Sequence, residues 1–140
     1  VRALQALSVR RVAVATSYID ELNRHLVDYL THEGLEVHAI EGLGVEGVDD
    51  VLAVTPLTLT ALAERVLARA PRAEGLFISC GGLRTRDVVE PLEARFGLPV
   101  IASSPAGFWD LMRMAHLDPG AKGFGRLFRL PVGHAETSHG

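Results

Sequence analysis

Two short, nearly unbroken apolar runs, Arg11–Thr16 (RVAVAT) and Gly75–Ser79 (GLFIS), are separated by stretches with helical periodicity. This alternation limits the fold more than any other feature. Strands without polar alternation are buried on both faces, and a strand–helix–strand order gives a parallel sheet covered by helices on both sides.

The remaining elements follow the same rhythm. Residues 19–32 predict a helix with Leu22, Leu26, Val27 and Leu30 on one face and Gly34 as its stop. Residues 36–40 predict the second strand, then a glycine-rich loop at 42–47 and a short helical turn at 48–52. Thr55 and Pro56 suit an N-cap and first helical position, opening a helix to about residue 70 with Leu59, Leu62, Ala63 and Val66 as its stripe. A helix over 87–96, with Pro91 near its first turns and Gly97 after its end, leads to a fourth strand at 99–102. Ser104 and Pro105 repeat the cap signature before a last helix, whose Phe108, Trp109 and Met112 are expected in the core. The fold class is α/β: a four-stranded parallel sheet with helices on both faces, flavodoxin-like.

After Asp118 the pattern fades. Residues 1–128 are expected to form one α/β lobe and residues 129–140 a flexible tail. The chain opens without Met, on a helical i, i+3 pattern (Val1, Leu4, Leu7) running straight into a strand, so further sequence is expected upstream.

At 140 residues there is room for one core. Net charge is −3 with basic residues scattered, which favours neither nucleic acid nor an anionic membrane as partner. The apolar runs fall far short of the roughly 18 residues of a membrane span. A single cysteine excludes an internal disulfide framework and suits a reducing, cytoplasmic setting.

In open α/β sheets ligands bind beyond the carboxyl ends of the strands. Four segments should meet there: Thr16-Ser17-Tyr18, the 42–47 loop, Ser79-Cys80-Gly81-Gly82 and Ser103-Ser104-Pro105. Cys80 is either a small buried apolar residue or a thiol activated by backbone N–H groups and a helix N-terminus. Gly81 and Gly82 favour the second reading, because a ligand can approach a backbone without side chains. Tyr18 is either an amphipathic edge residue or a hydrogen-bond donor to an anion. Gly42-Leu43-Gly44-Val45-Glu46-Gly47 matches G-x-G-x-x-G, but the short interrupted helix after it and the helical position of Glu64 fit a plain loop better than a dinucleotide site. The six histidines lack metal-ligand spacing, and there is no G-x-S-x-G elbow, so Ser103 and Ser104 read as caps and rim hydrogen bonders.

Ser79-Cys80-Gly81-Gly82-Leu83 with Thr85 resembles the second cysteine motif of the aspartate/glutamate racemase superfamily. The run 103–110 (SSPAGFWD), Tyr18-Ile19-Asp20 with Asn23, and the late run 123–128 (GFGRLF) resemble its arylmalonate decarboxylase branch. The resemblance implies one lobe, the C-terminal one, of a two-lobed enzyme, with an N-terminal lobe or partner chain completing the site. It implies a decarboxylase of disubstituted malonates, a small-molecule dicarboxylate substrate, and no metal or organic cofactor. Cys80 would protonate an enediolate. The Gly81 N–H and Tyr18 hydroxyl would donate to the substrate carboxylate, with Ser17 and Gly82 on the same rim. Val48 and Val51 would line a small apolar pocket around the departing carboxylate. Maleate isomerases and racemases of the superfamily carry a cysteine on each lobe and tend to have Thr-Asn after it, where this chain has Gly81-Gly82. An isomerase or racemase, or an inactive lobe that binds small anions, are the alternatives.

Overall fold

Four strands, β1 Arg11–Thr16, β2 Glu36–Gly42, β3 Gly75–Ser79 and β4 Val100–Ala102, form one parallel sheet in the order β2-β1-β3-β4. The computed structural model describes residues 1–79, 81–120 and 122–131. The helices are α1 Arg2–Ala6, α2 Asp20–His32, α3 Val48–Leu52, α4 Pro56–Ala68, α5 Arg86–Phe96 and α6 Ser103–Met114, followed by a 3-10 turn at Arg126–Arg129.

Side chains on successive strand residues point to opposite faces, and this sorts the core into two layers. Ala13, Ala15, Leu76, Ile78, Val100 and Ala102 pack with Leu59, Leu62 and Val66 of α4 and with Val88 and Leu92 of α5. On the other face Val12, Val14 and Ile101 meet Leu4 of α1, Leu30 of α2, Trp109 of α6 and Leu127 of the 3-10 turn. Each fully buried Val, Leu or Ile contributes about 1.5–3 kcal/mol, so the two layers together order the sheet.

Several local signals work as the sequence predicts. The Thr55 hydroxyl accepts the Thr58 N–H at 3.1 Å, with Pro56 at the first helical position. Gly97 ends α5 in the left-handed region at φ +67. Strand β2 runs two residues further than expected, to Gly42, and α4 ends at Ala68 rather than near residue 70.

Two helix faces differ from expectation. On α2, Leu30 is buried and Leu26 and Val27 half-buried, but Leu22 is 50% exposed and Asn23 takes the inward position. A periodicity counted on apolar residues cannot see a polar side chain that faces in because it has a buried partner. Helix α6 begins at Ser103 directly after β4, so Ser104 is not its cap and Pro105 is its third residue. That start turns Trp109 into the core but leaves Phe108 half-exposed and Met112 only partly covered. Phe108 stacks instead on Phe128, whose ring also meets Phe124.

Carboxylates hold the amino end of the sheet. Glu74 accepts the Arg10 and Arg11 backbone N–H groups at 2.8 and 3.0 Å, pinning the start of β1 to the segment before β3. Buried Glu93 of α5 accepts the N–H of Val100 at 3.0 Å and that of Arg126 at 3.1 and 3.0 Å, fastening β4 and the late 3-10 turn to one helix. Residues 126–129, in the stretch where the sequence pattern fades, are therefore tied down. Of the tail expected at 129–140, residues 132–140 lie outside the described residues.

Glu93→Ala leaves two backbone donors without their acceptor and should cost about 2–4 kcal/mol in chemical denaturation. The backbone donors Arg11 and then Arg10 hold the Glu74 carboxyl below its usual value. A lowered carboxyl stabilises the fold above the unfolded value and loses that contribution as pH falls through the folded one. Glu74→Gln should thus lower the melting temperature at pH 7, and the difference from wild type should vanish in a titration below the ordinary carboxylate range.

Candidate active site at the carboxyl end of the sheet

The end of β1 is set by one buried threonine. The Thr16 hydroxyl donates to the Asn23 side-chain oxygen at 2.7 Å and accepts the Tyr18 N–H at 3.1 Å. Both Thr16 and Asn23 are buried, so these bonds form out of competition with water.

The loop after β2 closes over this turn. The N–H groups of Leu43, Gly44 and Val45 donate to the carbonyls of Thr16, Tyr18 and Ser17 at 3.1, 3.2 and 2.8 Å. Three consecutive donors of the G-x-G-x-x-G segment are thereby spent on the chain itself rather than free to cradle a phosphate. Gly42 is required by the crossing: a Cβ there would stand 2.1 Å from the Tyr18 carbonyl oxygen and 2.8 Å from the Thr16 hydroxyl.

Tyr18 then reaches across the sheet. Its hydroxyl lies 3.2 Å from the Ser79 Oγ, at the last residue of β3. Thr16 and Ser79 are register partners in the parallel pair, so their side chains share a face and Tyr18 spans the gap between the two strand ends.

Beyond β3 the chain passes between α3 and α6. Ser104, in the first turn of α6, donates its hydroxyl to the Gly81 carbonyl at 3.3 Å. A Cβ at residue 81 would sit 3.0 Å from that Ser104 oxygen, and one at residue 82 would sit 2.9 Å from Val51 Cγ1. The two glycines therefore have an internal reason: α3 and α6 press on them from either side. No acidic residue occupies the first turn of α6, so the positive end of its dipole faces the rim uncompensated from within the helix.

Of the residues expected at a site, the structure brings Tyr18, Gly81, Gly82 and Val51 together with Ser79 and Ser104. Cys80 lies outside the described residues, between Ser79 and Gly81. Ser17 is almost fully buried and takes part through its carbonyl. Val48 is 76% exposed, one turn before Val51 on α3. Sequence reasoning missed the Tyr18–Ser79 pairing and the Thr16–Asn23 lock, because neither follows from periodicity; the register of two strands had to be known. Among the described residues no three His, Cys, Asp or Glu side chains converge on a metal position, and no helix is long and apolar enough to cross a membrane.

The family model described as arylmalonate decarboxylase matches residues 1–128. The chain belongs to the arylmalonate decarboxylase family. It is 47% identical over 128 residues to the arylmalonate decarboxylase of Bordetella bronchiseptica, an alignment covering 89% of this chain and 52% of that protein. It is 31% identical over 135 residues to the maleate isomerase of Nocardia farcinica, covering 92% and 51%. A crystal structure of arylmalonate decarboxylase superposes with a TM-score of 0.82 at 45% identity, covering 91% of this chain and 57% of that one. The chain thus spans about half the length of the relatives it matches, and all of these relatives are enzymes. The half represented here contains the Cys80-Gly81-Gly82 sequence and Tyr18, whose hydroxyl lies beside Ser79.

Gly42→Ala should cost about 1–3 kcal/mol, the usual penalty of forcing a group into packed space. Urea denaturation measures it, and amide exchange should show the loss concentrated at residues 16–18 and 43–45.

Proposed function

We propose that this chain forms one wall of the active site of a cofactor-independent decarboxylase acting on disubstituted, arylmalonate-type dicarboxylates. A second lobe, on the same polypeptide or a partner chain, forms the other wall. The observation that carries this reading is the Tyr18–Ser79 hydrogen bond. It fixes a phenol hydroxyl beside the residue that precedes Cys80.

This rim supplies one part of what the chemistry needs. Breaking the bond between Cα and one carboxylate leaves its electron pair on Cα, delocalised into the retained carboxylate as an enediolate, while neutral CO₂ departs. The Tyr18 hydroxyl and the Gly81 N–H donate to the retained carboxylate, whose charge rises in the transition state. The α6 N-terminus adds its positive end. Val51, with Val48 on the same short helix, surrounds the departing carboxylate with apolar groups, which favours its conversion to CO₂. The Cys80 thiol then gives its proton to Cα, and the thiolate recovers one from solvent. The net reaction consumes one proton and yields a monocarboxylate and CO₂.

An isomerase of a small dicarboxylic acid is the second reading, favoured by the relation to maleate isomerase. A lobe that binds small anions without turning them over is the third. The three separate in one assay on the gene product that carries this chain: CO₂ release from a disubstituted malonate, beside Cα proton exchange and cis-trans isomerisation. CO₂ release is expected, and Cys80→Ala should lower it about 10²–10⁴-fold, the usual worth of a positioned proton donor. Full turnover in Cys80→Ala would sink the assignment of the proton transfer.

A further inference from the structure

We propose that Ser79 is a positioning residue that sets the direction of the Tyr18 hydroxyl. This rests on the reading of Tyr18 as a donor to the substrate carboxylate. Tyr18 is held at two points by neighbouring hydroxyls: Thr16 takes its main-chain N–H, and Ser79 meets its phenol oxygen. Because Thr16 and Ser79 are register partners, the same strand pairing that builds the sheet fixes both ends of the tyrosine. Ser79 is only 6% exposed, so water competes poorly for its hydroxyl.

A phenol has a single proton to donate. If Tyr18 gives it to Ser79, none is left for a carboxylate. The serine hydroxyl rotates freely and offers both a proton and lone pairs, so the bond reverses without moving a heavy atom. In the absence of substrate either hydroxyl can donate to the other. When a carboxylate arrives, Tyr18 turns its proton to the anion and Ser79 donates into the phenol oxygen. The resulting chain, serine to tyrosine to carboxylate, polarises each bond in the same sense. Ser79 touches no reacting atom; it acts through Tyr18.

The test is a double-mutant cycle in the gene product that carries this chain, following kcat/KM for CO₂ release from a disubstituted malonate. Ser79→Ala should lower kcat/KM about three- to tenfold, the worth of one hydrogen bond. On a Tyr18→Phe background the same change should cost nothing further, and Ser79→Thr, which keeps the hydroxyl, should restore activity. Equal losses on both backgrounds, or no loss in Ser79→Ala where Tyr18→Phe is impaired, would overturn the proposal while leaving the role of Tyr18 intact. A Tyr18→Phe protein with full activity would remove that role and this proposal with it.

A readout independent of turnover is ¹⁹F NMR of this chain labelled with 3-fluorotyrosine; the chain contains two tyrosines, Tyr18 and Tyr29. Ser79→Ala should move the Tyr18 resonance and leave that of Tyr29 in place. An unmoved Tyr18 resonance overturns the contact itself.

Discussion

The hydroxyl of Thr16 is the point on which the candidate site depends. It is fully buried at the end of β1, where one oxygen both donates to Asn23 and accepts from Tyr18. The first bond brings α2 down on the sheet with a polar residue facing inward. The second turns the chain so that Tyr18 leaves the strand towards β3. The loop after β2 can then lay three N–H groups on the carbonyls of residues 16–18, provided that residue 42 has no side chain. A buried network of this kind is stabilising only when every member is satisfied, and here the strand end, a helix and a loop each supply part of it.

The rest of the sheet serves to hold that point still. β1 is the strand flanked by β2 and β3, and its side chains feed both core layers, so the end of β1 inherits the rigidity of the whole packing. At the opposite end Glu74 pins the start of β1 through two backbone donors. Glu93 does the same for β4, which delivers α6 to the rim, so Ser104 arrives at the Gly81 carbonyl with its helix already fixed. Glycines 81 and 82 are squeezed between α6 and α3, and this leaves the backbone following Cys80 little freedom to relax.

Much of this was legible in the chain. The strand β1 and the short helix α3 fall at the residues where the pattern places them, because β-rich runs and a glycine-bounded turn are local signals. The carboxyl-end rim was legible too, since a parallel sheet dictates where its loops gather. What could not be read depends on contacts between distant residues. Leu22 looks like a core residue until Asn23 is seen to have Thr16 as a buried partner. Phe108 looks internal until α6 is seen to start two residues early, at Ser103, with Trp109 buried and Phe108 half-exposed. Glu93 reads as an ordinary helix surface residue, yet it binds a strand and a turn that follow it in the chain. The Tyr18–Ser79 bond spans sixty-one positions and appears only once two strands are in register.

Membership of the arylmalonate decarboxylase family and the geometry of the rim both support the proposal that substrate meets this chain at the carboxyl end of the sheet. The most direct measurement is a ¹⁵N-resolved NMR titration of the chain with a disubstituted malonate. Shifts concentrated at Tyr18, Gly81, Gly82 and Ser104 are predicted. Shifts that leave these residues untouched and gather instead along the groove beside α1, at Gln5, Tyr29 and Gly107, would contradict it.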